Sequence, residues 1–252
     1  MDSNNSEKKN ELISKIVVAN LIKNYEEMAK AVHDLIQSYP QLNEEELNWL
    51  SVAYKHCVHS RISSWHVVKS ALDKEKAVNN ILNVYKAENL LKDIETEIRT
   101  YCTDILDMLE DKIMMAVTDD SIMVSCWKLK GDHRRFQSEI ETGERKSNMI
   151  MQSENAYEEG YRLATSKLEV NSPVFLALVL NYSLFLHETV KNKKKAMQIA
   201  MTARESIDLV KNTQPNIESA YILERLNDNM RQWDQNYLTN RPSYINPFHG
   251  LF

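Results

Sequence analysis

The sequence predicts an all-α protein, and three observations carry that prediction. Gly and Pro, which punctuate turns, number only four and five among 252 residues. Apolar residues recur at the three-to-four spacing of a helix face along most of the chain. Where that spacing lapses, residues suited to starting a helix follow, such as Asn43 before Glu44-Glu45-Glu46, or Asp119-Asp120.

Taken in order, Leu12, Ile16, Ala19 and Tyr25 form the apolar stripe of a first helix beginning near Glu7, and Met28, Val32, Leu35 and Ile36 that of a short second one. Tyr39-Pro40 ends it, because the residue before Pro is pushed out of the helical region. A long third helix is expected over about 44–75, with Asn43 as N-cap and the three glutamates against the positive end of its dipole. A fourth covers roughly 78–115; Thr118-Asp119-Asp120 opens the fifth, which fades near Thr142-Gly143. Helices at about 147–168, 173–190, 193–210 and 216–235 complete the set, with Pro173 in the first turn of the seventh. That makes nine helices with no linker long enough to divide them, so residues 1–235 are expected to form one domain and 236–252 a flexible, Pro-containing tail.

Composition narrows the function. A net charge of −5 argues against a nucleic-acid partner, which calls for a strongly basic face. The N-terminus lacks the apolar core of a signal peptide, and no stretch reads as about 18 uncharged apolar residues, so a soluble, cytoplasmic protein without a membrane partner is expected. Cys57, Cys102 and Cys126 are odd in number and lack CxxC spacing, which suits reduced thiols. His56, His59 and His66 are not completed by a further Cys or His pair, so no metal is expected, and no cofactor either. No Gly-rich phosphate loop, nucleophile elbow or HExxH motif points to an enzyme or to catalytic residues.

The chemistry that stands out is local and basic. Lys128, Asp132 and Arg135 lie at i, i+4 and i+7, one face of the fifth helix, with the acid between two bases. An acid that steadies an Arg while leaving its fork open is a common way to receive phosphate; the alternative is a solvated charged face. Three other helices carry mixed stripes: Lys55, His59 and Ile62; Asn181, Leu184 and Glu188; Arg225, Asn229 and Trp233. Cations for a phosphate, Asn amides for main-chain groups and apolar positions for side chains are what a groove for an extended peptide needs.

These residues resemble the 14-3-3 family. Leu50-Ser51-Val52-Ala53-Tyr54-Lys55 with Ser63-Ser64-Trp65 is similar to its first signature region, and Lys128-Leu129-Lys130-Gly131-Asp132 to its central KxKGD stretch. Leu180-Asn181-Tyr182-Ser183 is similar to its LNFS stretch, and Asp228-Asn229 with Trp233 to its DNLTLW segment. The resemblance implies nine antiparallel helices in a cup-shaped array, usually a homodimer, that binds phosphoserine or phosphothreonine segments of client proteins as an adaptor in signal transduction. By the same resemblance Lys55 and Arg135 bind phosphate, and Asn181 and Asn229 clamp the peptide backbone. Lys128, Asp132, Leu180, Leu184, Glu188 and Trp233 match further groove positions.

The departures bear on affinity. The family's phosphate cradle has a second Arg and a Tyr where this chain has Ile62 and Phe136; Arg61, Arg134 and His59 are the bases nearest to hand to compensate. Restoring Arg at 62 and Tyr at 136 is then expected to strengthen binding. Arg225 stands where the family has an apolar groove residue. On the implied dimer face, Glu27 and Asp93 replace an acid–Lys pair, and Asn24 replaces the Arg that pairs with Glu97, with Lys23 and Lys92 as substitutes. A weaker dimer is expected, held by Val18, Ile22 and Val68. The competing function is a helical scaffold that binds acidic or amphipathic segments without phosphorylation. In the tail, Ser243 between Arg241 and Pro247 loosely resembles a client motif and suggests self-binding once phosphorylated.

Overall fold

The computed structural model describes the backbone of residues 2–209 and 216–234 and the side chains of 6–208 and 216–234; Ser243 and the tail lie outside the described residues. Nine helices occupy the described residues: α1 (Asp2–Leu21), α2 (Tyr25–Ser38), α3 (Glu44–Ala77), α4 (81–116), α5 (Asp120–Ile140), α6 (Gly143–Lys167), α7 (Pro173–Val190), α8 (Lys193–Leu209) and α9 (Ile217–Trp233). Two of them contain a π-helical turn, Leu109–Ile113 in α4 and Leu186–Val190 at the end of α7.

The helix starts follow from their caps. Asn43 and Glu46 form a reciprocal capping box on α3, and Lys9 Nζ adds an ion pair at 2.7 Å to the same Glu46. Asp119 caps α5 by accepting from the Ile122 amide at 3.0 Å, and Ser172 caps α7 ahead of Pro173. Asn24, where the family has an Arg, caps α2 by accepting from the Glu27 amide at 3.2 Å. Gly143 begins α6 at a φ of +58°, a left-handed conformation that only Gly adopts without strain.

The helices gather into two compact units, Met1–Glu169 with α1–α6 and a second beginning at Val170 with α7–α9. In the first unit a large apolar core joins α1, α2 and α3 to the ends of α4 and α5 through residues such as Ile16, Val32, Leu35, Leu50, Ile105 and Leu109. A smaller cluster, Val58, Ile62, Ile94, Ile98, Cys102, Phe136 and Ile140, ties the middle of α3 to α4 and α5. In the second unit α7 is the central helix, burying Phe175, Leu178, Val179, Tyr182 and Phe185. Against the expectation that no stretch does so, Pro173–Val190 is by length and composition apolar enough to cross a bilayer, with a mean hydropathy of 1.4 over 18 residues. Under half of it, 44%, is buried, and Leu176, Leu178 and Phe185 are among the residues whose apolarity core packing accounts for.

Candidate functional site

Gly131 lets α5 pack closely on α6. A Cβ there would stand 2.8 Å from the ring of Tyr157 on α6, so any side chain would force the two helices to shift. Ser153 Oγ donates to the Gly131 carbonyl at 2.8 Å, and the Tyr157 hydroxyl donates to Asp132 Oδ1 at 2.5 Å. Lys128 Nζ meets the other carboxylate oxygen at 3.0 Å. Farther along the same face, Arg135 sets one terminal nitrogen 3.4 Å from Glu139 and its guanidinium carbon 4.5 Å from the centre of the Phe136 ring. The side chains of Lys128, Asp132 and Arg135 are only 18%, 9% and 24% exposed, so this is not a solvated charged face.

Electrostatics fix the protonation of the group. Burial alone would favour a neutral Asp132, but the charges of Lys128 and Arg135 and the hydrogen bonds from Tyr157 and Lys128 outweigh it and hold the carboxyl at about 2. Burial and the Asp132 charge push the Tyr157 phenol well above its usual range, so it remains a donor. Burial works against the charge of Arg135, and Tyr157, Asp132 and Glu139 more than offset it. The result is one buried anion set between the Lys128 and Arg135 side chains.

The α3 side is different. Lys55 is exposed and, among the described residues, has no ion-pair partner. His59, one turn on, sets its ring edge-on to Phe136 with centroids 4.9 Å apart at 88°. Ile62 and Phe136, the two departures from the family cradle, are 9% and 3% exposed and belong to the same apolar cluster. Arg61 is drawn toward α2 and α4: its terminal nitrogen is 2.5 Å from Glu26, its Nε is 2.8 Å from Glu97, and it lies over the ring of Tyr101. Glu97 therefore has a mate within its own chain, in place of Lys23 or Lys92. Arg134 donates to Gln137 at 3.1 Å and approaches Glu110 at 3.8 Å beside Lys130. Of the three candidate compensating bases, Arg61 and Arg134 are thus engaged by carboxylates.

The second unit carries the remaining candidates on α7 and α9. Leu180, Asn181, Asn229 and Trp233 are half-buried, while Leu184, Glu188 and Arg225 are exposed. Trp233 stacks on His187 with centroids 4.5 Å apart at 12°, and His187 Nδ1 is 2.6 Å from Glu188, which also approaches Lys191 at 3.9 Å. Glu188 sits in the π-helical turn, where the face is wound differently from the ideal helix assumed in placing it at i+7 from Asn181.

Comparison with known proteins decides the family. The 14-3-3 protein family model matches residues 15–234. Relatives include 14-3-3 protein beta/alpha of Mus musculus and of Gallus gallus and 14-3-3 protein beta/alpha-A of Xenopus laevis. Each is 31% identical over 229 residues, covering 89% of this chain and 92%, 93% and 93% of the relative. The chain belongs to the 14-3-3 family. As a 14-3-3 protein it is an adaptor, not an enzyme, and the general role of the family is to bind phosphopeptides of client proteins.

Sequence reasoning missed two residues of the cluster around Asp132 and Arg135. Tyr157 and Glu139 hold Asp132 and Arg135, yet neither carries a motif of its own. The available signal for Tyr157 was indirect: a Gly in mid-helix marks a close packing contact, and a buried phenol needs an acceptor. Of the apolar residues that the resemblance assigns to a dimer face, Val18 of α1 and Ile22 just beyond it are exposed, while Val68 is half-buried against the α3–α4–α5 cluster; Leu21 of α1 and Ile81, Leu82 and Tyr85 of α4 are exposed apolar residues as well. Glu27 pairs with Lys30 of its own helix at 3.5 Å, and among the described residues nothing pairs with Asp93.

Proposed function

We propose that this 14-3-3 protein binds phosphoserine or phosphothreonine segments of client proteins, with Lys55 and Arg135 receiving the phosphate. Asn181 and Asn229 take main-chain groups of the segment; Leu180, Leu184, Glu188, Arg225 and Trp233 meet its side chains. The observation that carries this reading is the Arg135 setting: a mostly buried guanidinium steadied by Asp132, Tyr157 and Glu139, with Lys55 exposed and unpaired among the described residues. A preorganised Arg and a mobile ammonium are suited to a phosphate dianion, each charge-assisted hydrogen bond contributing roughly 1.5–3 kcal/mol. The apolar faces of α1 and α4 support a homodimer, and three buried thiols, with Cys126 pushed up to about 12 by burial, fit a reducing cytoplasm.

The burial of Ile62 and Phe136 favours a second reading, a scaffold that binds acidic or amphipathic segments without phosphate. Fluorescence anisotropy separates the two, using a labelled peptide with an Arg before a phosphoserine and a Pro two residues after it, beside its unphosphorylated twin. The phosphorylated form is expected to bind at least about tenfold more tightly, a difference of about 1.4 kcal/mol. Equal affinities would favour the scaffold.

A further inference from the structure

Two of the three bases able to make up for Ile62 and Phe136 are engaged elsewhere, and the third is placed differently. His59 lies one turn beyond Lys55 on α3, and its ring and the Arg135 guanidinium converge on the same Phe136 ring, at 4.9 Å and 4.5 Å from its centre. Neither ring nitrogen has a hydrogen-bond partner among the described residues, and the residue is exposed. We propose that His59 is the third phosphate donor of this site, binding a phosphomonoester dianion beside Lys55 and Arg135 and taking up a proton as it does so. The proposal rests on the reading that Lys55 and Arg135 receive the phosphate.

The groups that face His59 make the proton uptake specific. Lys55 and His56 stand on its own helix; Arg135 and Asp132 face it from α5; His133 also sets its ring edge-on to Phe136, with centroids 5.4 Å apart. Partial burial of the ring beside Phe136, in a residue otherwise exposed, and then the charges of Lys55 and Arg135 keep the free His59 ring below the ordinary imidazole range, against a weaker pull from Asp132. His133 is buried, with its Nδ1 on the Leu129 carbonyl at 2.9 Å and its pKa down to about 4, so it stays neutral and does not compete. A dianion between Lys55 and Arg135 cancels the field that disfavours the imidazolium and offers it an acceptor. The His59 pKa is then higher in the complex than in the free protein, so affinity rises as pH falls between the bound and free values. One proton taken up gives at most about a tenfold gain per pH unit. In place of the Arg and Tyr that the resemblance implies for the cradle, this site then has a titrating donor.

The test is anisotropy with the same phosphoserine peptide from pH 8 to pH 6, on the full chain and on His59→Gln. The exposed position tolerates Gln, and the paired comparison removes the titration of the phosphate itself. The parent is expected to gain about five- to tenfold in affinity relative to His59→Gln over that range. Calorimetry of the parent in two buffers of different ionisation enthalpy should show net proton uptake that His59→Gln lacks. Tight phosphopeptide binding with parallel pH profiles and equal proton uptake would overturn the role of His59 while leaving Lys55 and Arg135 in place. Absence of phosphopeptide binding at every pH would overturn both.

Discussion

Arg135 and Phe136 are neighbours on α5 with opposite surroundings. The Arg135 side is a polar network in which Lys128, Asp132, Tyr157 and Glu139 hold one another in a mostly buried setting. The Phe136 side is an apolar cluster in which Ile62, Ile94, Ile98 and Ile140 leave little room for a polar group. The two positions where the family's phosphate cradle has an Arg and a Tyr have therefore joined the core. On the proposed reading, phosphate is left to a few groups on α3 and α5, and those on α5 are held by one buried carboxylate.

The most damaging way to break the polar side is Asp132→Ala. Lys128 and Arg135 would lose their buried counter-charge and Tyr157 its acceptor, so a loss of about 3–5 kcal/mol in unfolding free energy is expected by urea denaturation. Because Asp132 is held at about 2 against an unfolded value near 3.8, its contribution is full above pH 4 and fades as pH falls through 2. A loss below about 1 kcal/mol would mean that the network is solvated and the contrast with the Phe136 side is false.

The apolar side is probed by Ile62→Arg with Phe136→Tyr. From the family pattern alone this change should strengthen binding; with both positions inside the cluster it carries a charge and a hydroxyl into the core. A stability loss on the order of 3 kcal/mol and no gain in phosphopeptide affinity are expected. Raised affinity at unchanged stability would show that these positions line the site. The smallest effect belongs to Asp93→Lys, which places a cation where the family has one. In sedimentation equilibrium it should favour the dimer by roughly 0–1 kcal/mol per bridge, and added salt should strengthen association of the parent by screening the acids.

The helices were legible because their starts are chemical: Asn43, Asp119 and Pro173 each act as the sequence implies, and nine segments follow. The π-helical turns at Leu109–Ile113 and Leu186–Val190 were not, since no residue type specifies an extra residue in a turn; the second displaces Glu188 from its ideal face. Within the site, the Lys128–Asp132 pair was readable from i, i+4 spacing. Its partners Tyr157, 25 residues on, and the Arg61 bridges to Glu26 and Glu97 join distant segments, where spacing carries no information.

The most direct measurement compares two arginines by phosphopeptide anisotropy. Arg135→Ala is expected to weaken binding by at least about a hundredfold, consistent with losing charge-assisted hydrogen bonds to the phosphate. Arg61→Ala, which removes a guanidinium engaged by Glu26 and Glu97, is expected to leave affinity within about twofold. An Arg135→Ala protein that binds the phosphopeptide as tightly as its parent, or an Arg61→Ala protein that loses it, would contradict the assignment of the phosphate to Lys55 and Arg135.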